Sequence, residues 1–168
     1  MRLTLISHSA GAIYIDRMLN EINTLRPDIE ADVIFIAAGI SFERLARSIA
    51  LFRSKFRFFA LKDLYEGGYW EIPPVYDKSL LYFVSSLCES DINMDKELVG
   101  MQRYWSGVDP YRTKDIMAVT SVVTSAAQVW SATDRGAPAC FCAHAYEHGG
   151  FAEEHDTDES VRCFLVKP

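Results

Sequence analysis

Short apolar runs alternate along the chain with stretches whose apolar residues recur every three or four positions. The first run, Leu3-Thr4-Leu5-Ile6, passes into Ser7-His8-Ser9-Ala10-Gly11. Beyond it Ala12, Ile15, Met18, Leu19, Ile22 and Leu25 share one face at helical spacing, and Pro27 closes the segment. Val33-Ile34-Phe35-Ile36-Ala37-Ala38 is apolar throughout, as strands covered on both faces are, and Gly39 ends it. Phe42, Leu45, Ala46, Ile49 and Ala50 mark a second helix. Phe56, Phe58, Phe59 and Leu61 predict a third strand, stopped by Lys62-Asp63 and a Gly67-Gly68 turn. Leu80, Leu81, Phe83, Val84 and Leu87 predict a helix, residues 111–120 another, and Ala127-Gln128-Val129-Trp130 a fourth strand. A terminal helix spans residues 156–165, with Asp156 and Glu159 at capping-box spacing.

Strands alternating with helices indicate an α/β fold, a mostly parallel sheet with flanking helices. No internal repeat or long linker divides the 168 residues, so residues 1–168 form a single domain with an irregular, inserted segment at about 89–124. Seventeen basic against 23 acidic residues, with no Lys/Arg run, argue against nucleic-acid binding, whose affinity comes mostly from neutralising phosphates. No apolar run approaches the roughly 18 to 20 residues of a membrane span, and the apolar start is too short for a signal peptide. Cys88, Cys140, Cys142 and Cys163 are few and irregularly spaced, which predicts reduced thiols and a cytoplasmic protein.

In parallel sheets chemistry gathers where strands end and loops lead into helices. The first such loop holds Ser9. A serine on a sharp strand-to-helix turn is held with its hydroxyl exposed, provided that the residues two before and two after it are small. Ser7 and Gly11 meet that need, and Ser7 replaces the first glycine of the usual G-x-S-x-G. The Ala10 amide, at the helix start, would point toward a developing oxyanion. A nucleophilic serine requires a base, and the base an orienting acid. His148, in His148-Gly149-Gly150-Phe151, lies on a loop that two glycines let turn tightly; His144 and His155 flank it, and His8 is taken as structural. Asp63 follows the third strand directly and Asp134 follows the fourth; either preserves the order nucleophile, acid, base, and Asp63 is the preferred acid.

With these residues in place the chain resembles the C-terminal half of an α/β-hydrolase. The likeness is carried by the strand–Ser7-His8-Ser9-Ala10-Gly11–helix unit and by His148-Gly149-Gly150-Phe151; the middle of the chain adds little. It implies a serine hydrolase of the carboxylic-ester type, with Ser9 as nucleophile, His148 as base, Asp63 as acid and Ala10 as one oxyanion donor. It also implies a small ester-like substrate, no cofactor and no metal. Members of that family carry several strands and an oxyanion segment before the elbow, so a serine at position 9 leads to the expectation of a partial domain. Its first strand would be a sheet edge, covered by a homo-oligomer or by a missing segment. The same feature supports a competing reading: a truncated, catalytically inactive α/β-hydrolase-like protein that acts by binding only.

Two further classes are weaker. Cys140, Cys142, His144 and His148 all have zinc-binding side chains, but C-x-C-x-H-x-x-x-H is not a common zinc spacing. No phosphate-cradling glycine motif follows any strand, which disfavours a nucleotide-binding module. Tyr65, Tyr69, Trp70, Tyr76, Tyr104, Trp105 and Tyr111 could line an apolar site, although core packing explains most such aromatics.

Overall fold

The four apolar runs form β1 (Arg2–His8), β2 (Glu30–Ile36), β3 (Phe56–Leu61) and β4 (Gln128–Ser131). The helices are α1 (Gly11–Leu25), α2 (Phe42–Ser48), α3 (Asp63–Glu66), α4 (Leu80–Phe83), α5 (Lys114–Val122) and α6 (His155–Val166). The computed structural model describes residues 2–51, 55–66, 78–88 and 95–166. The Gly67-Gly68 turn, Tyr69, Trp70 and Tyr76 lie outside the described residues.

The sheet is wholly parallel, in the order β1-β2-β3-β4, with Leu5 opposite Val33, Phe35 opposite Phe58 and Phe59 opposite Val129. Strands that add in sequence order in one direction, each by a right-handed crossover, place successive connections on one face. That face packs Val33, Phe35, Phe58 and Ala60 against Ala12, Ile15 and Leu19 of α1, Phe42 and Leu45 of α2, and Ile116 and Val119 of α5. After β4 the chain crosses to the other face, which Tyr65 of α3 also touches. There Ile34, Phe59, Leu61 and Val129 meet Ala143, Ala145, Phe151 and the α6 residues Val161 and Phe164. The near-continuous apolar character of β2 and β3 follows from this two-sided burial. Among the described residues β1 pairs only with β2, so it is an edge, and its Ile6 is 47% exposed. No described helix is long and apolar enough to cross a membrane.

Residues 98–101, within the irregular segment, belong to the core. Leu98, Val99 and Met101 are fully buried. Leu98 bridges Ser41, the Val99 N–H donates to the Ile40 carbonyl (2.8 Å) and the Gly100 N–H to the Ala38 carbonyl (2.9 Å). Position 100 must be glycine here, because a Cβ would lie 2.7 Å from the Ala38 carbonyl oxygen. The segment therefore lies against the chain that follows β2, beside the Ser9 turn.

The predicted cap of the last helix is displaced. The Glu154 carboxylate caps α6, accepting from the Asp156 N–H (2.7 Å), the Thr157 N–H (2.8 Å) and the Thr157 hydroxyl (2.7 Å), while Asp156 already lies within the first turn. The expectation of reduced cysteines is also corrected. When α6 folds back over the sheet it brings Cys163 against Cys140, with Cα atoms 5.4 Å apart, and the two form a disulfide; Cys142 remains free. The bond closes a segment of 23 residues that contains His148, a loop for which chain entropy gives about 3 kcal/mol. Cys163→Ser is accordingly expected to lower unfolding stability by about 3 kcal/mol in urea, and dithiothreitol should produce the same loss in the wild type but none in the variant.

Candidate functional site

All four strands run the same way, so the loops after β1, β2, β3 and β4 emerge along one edge of the sheet. Ser9, Asp63 and Asp134 follow three of those strand ends. Ser9 adopts φ +54°, a left-handed conformation that costs a non-glycine residue free energy and persists only when its surroundings impose it. Three hydrogen bonds impose it here. The Ser9 N–H donates to the Ile36 carbonyl (2.9 Å), and its own carbonyl accepts from Ala12 (3.2 Å) and Gly39 (3.0 Å). At Gly11 a Cβ would lie 3.0 Å from the Ser7 Cβ, a tight contact that favours small residues on either side of the serine. Among the described residues the Ala10 N–H donates to no backbone acceptor, as expected at the start of a 15-residue helix.

His148 reaches the same edge from the far side of the sheet. After β4 the chain is tied back by Ser131 Oγ donating to the Ala145 carbonyl (2.6 Å) and by the Thr133 N–H donating to the Ala143 carbonyl (2.9 Å). It then crosses the second core to β1, where His8 meets it. The His8 Nε2–H donates to the His148 carbonyl (2.9 Å), and the two rings lie 4.8 Å apart between centroids. His148 is 7% exposed, and neither ring nitrogen has a hydrogen-bond partner among the described residues. Burial, with a smaller contribution from the charge of His8, pushes its pKa down to about 4, so the ring is neutral at physiological pH.

The candidate acids stand apart from it. Asp63 begins α3; its N–H donates to Gln102 Oε1 (3.0 Å), and its Oδ2 lies 3.8 Å from Arg103 Nε. Neither Asp63 nor the Ser9 hydroxyl hydrogen-bonds to His148 in this structure. Asp134 pairs with Lys62 (3.0 Å) and its side chain is 96% exposed, aimed into water. Ser9 and His148 are thus carried to one strand, whereas Asp63 lies two strands away, about 10 Å at ordinary strand spacing.

Beside Asp63 lies a residue that sequence reasoning missed. Glu66 is fully buried, and among the described residues neither of its carboxylate oxygens, nor Asp63 Oδ1, nor Arg103 Nε has a hydrogen-bond partner. Burial pushes the Glu66 carboxyl up to about 7. The nearby Ser79 hydroxyl opposes the rise without hydrogen-bonding geometry to either oxygen, Asp63 adds to it and Arg103 subtracts. A carboxyl whose folded pKa is raised contributes stability below its unfolded value of about 4.5, and that contribution is lost as pH rises through 7. Glu66→Gln should therefore gain stability over the wild type by about 2 kcal/mol more at pH 8 than at pH 5, measured by urea unfolding at both. No sequence pattern marks Glu66, because its burial is set by tertiary packing.

The zinc reading of Cys140, Cys142, His144 and His148 is not met: Cys140 is bonded to Cys163. The one described group whose ligand atoms gather, within 4.8 Å, is His144, Glu154 and Asp156. Helix capping and a His144 Nδ1–Asp156 Oδ2 contact (2.7 Å) account for it. A cleft of about 620 Å³, lined among others by Tyr65, His144, Tyr146, Glu147 and Glu153, flanks the His148 loop. No protein-family model, curated protein or solved structure matches the chain.

Proposed function

We propose that the chain is a serine hydrolase of the α/β-hydrolase type, cleaving an ester or related acyl bond of a small molecule through a Ser9 acyl-enzyme. The observation that carries this is the left-handed Ser9, imposed by its neighbours between a parallel strand and a helix, with a neutral histidine brought to the same strand. Ser9 Oγ attacks the acyl carbon while His148 takes its proton. The Ala10 N–H donates to the oxyanion, and His148 returns the proton to the leaving alcohol. Water, deprotonated by His148, then hydrolyses the ester on Ser9. No cofactor enters these steps.

Asp63 is the proposed acid because it stands just past the end of a central strand, whereas Asp134 points into water. The Asp63 carboxylate faces Arg103 and lies two strands from β1, where His8 meets His148, so Asp63 and His148 must be brought together for the acid to orient the base. That separation favours a second reading, a non-catalytic protein of the same fold that acts by binding only, with the cleft beside the His148 loop as its site. Turnover of short p-nitrophenyl esters separates the two. The hydrolase reading expects turnover by the wild type, reduced at least tenfold in Asp63→Asn and unchanged in Asp134→Asn. A folded wild type with no turnover above Ser9→Ala contradicts it. A homo-oligomer through the open β1 edge fits the uncovered Ile6 and is read directly by sedimentation.

A further inference from the structure

We propose that His8 is a positioning residue for the His148 base, an inference that rests on the hydrolase reading above. Three observations carry it. First, the backbone of His8 is held by the sheet, opposite Ile36 and one residue before the Ser9 turn, so its side chain departs from a fixed point. Second, its Nε2–H is the donor to the His148 carbonyl, and its ring lies against the His148 ring. Third, long-range hydrogen bonds to that stretch are few, although the Tyr146 ring packs edge-on against Tyr65. The loop is tied to the rest of the fold at Ala143 and Ala145 on one side and by the buried Phe151 on the other. Between them, the Gly150 N–H donates locally to the Glu147 carbonyl (3.1 Å), and among the described residues the bond from His8 is the long-range one.

Two adjacent glycines follow His148, so the turn that carries it has little side-chain packing of its own and gains from an anchor outside the loop. A general base must sit within hydrogen-bond reach of the proton it takes, and a displacement of about 1 Å can cost a hundredfold in rate. His8 thus ties the base to the strand that carries the nucleophile, so that one strand end sets the positions of both. A carbonyl only accepts, so the bond requires the proton on Nε2 of His8. His8 takes no proton from Ser9; it acts through His148.

The test is the second-order rate of Ser9 modification by a fluorophosphonate at neutral pH, in the full chain carrying His8→Phe or His8→Gln. Phenylalanine keeps a ring against His148 but removes the donor; glutamine keeps a donor of similar reach. The expected result is a rate about ten- to a hundredfold lower for His8→Phe and within about threefold of wild type for His8→Gln, since the donor is preserved. Nitrogen-15 spectra of the histidine rings in the wild type should show His8 protonated at Nε2, which does not depend on either variant folding. A wild-type rate in His8→Phe, an equal loss in His8→Gln, or a His8 protonated only at Nδ1 overturns the proposal. A wild type that is not modified at all is a different failure: it removes the hydrolase reading, and the role of His8 with it.

Discussion

Ser9→Ala is expected to reduce ester turnover at least about a thousandfold, to the level left by binding and oxyanion stabilisation alone. The substitution removes one oxygen atom. It leaves the contacts that impose the turn intact, because they run through the Ser9 backbone: its N–H to Ile36 and its carbonyl to Ala12 and Gly39. An alanine at φ +54° carries a similar steric cost to a serine, so the variant should fold with nearly wild-type stability. Activity and stability are therefore separable at this position. A loss of turnover accompanied by an unchanged urea midpoint assigns the effect to the hydroxyl. Turnover that survives excludes Ser9 as the nucleophile.

His148 should set the acid limb of the pH profile at an unusual place. A base acts only when unprotonated. Its burial against His8 holds the His148 pKa at about 4, well below the ordinary histidine value of 6.5. The rate of acyl transfer should consequently stay flat from pH 8 to pH 5 and fall only toward pH 4. An acid limb centred near 6.5 would point to a histidine in water. The same shift has a consequence for stability. A histidine whose folded pKa is depressed contributes stability above its unfolded value, and this is lost as pH falls from 6.5 through 4, at a cost of about 3 kcal/mol. His148→Gln should abolish turnover to about the extent of Ser9→Ala and should blunt that acid destabilisation. Urea unfolding of both proteins between pH 7 and pH 4 measures it.

What the sequence alone revealed, and what it concealed, divides along the range of the interactions involved. The run from Val33 to Ala38 is apolar at every position because β2 is covered on both faces, so two-sided burial is legible within one strand, and the alternation of strands with helices supplies the parallel sheet. The Ser9 turn was legible for a similar reason: the crowding between positions 7 and 11 is a contact across four residues. Leu98 and Met101 have no helical or strand period, and their burial depends on hydrogen bonds to Ala38 and Ile40, some 60 positions earlier. The pairing of Cys140 with Cys163 depends on the path of α6. Neighbours on a sharp turn point in different directions, so the sequence alone suggests no more than a structural role for His8. The direction of its side chain is what takes its ring to His148, 140 positions away. The acid remains the least legible member of the site. Position after a strand favoured Asp63, but the side chain that Asp63 faces, Arg103, is supplied by a distant segment with no pattern of its own.

The most direct measurement is the mass of the protein, and then of its peptides, after treatment with a fluorophosphonate. The hydrolase reading predicts one adduct on the folded wild type, located on the peptide that carries Ser9, with no adduct on Ser9→Ala and much slower modification of His148→Gln. A folded wild type that remains unmodified, or one modified at another residue, would contradict it.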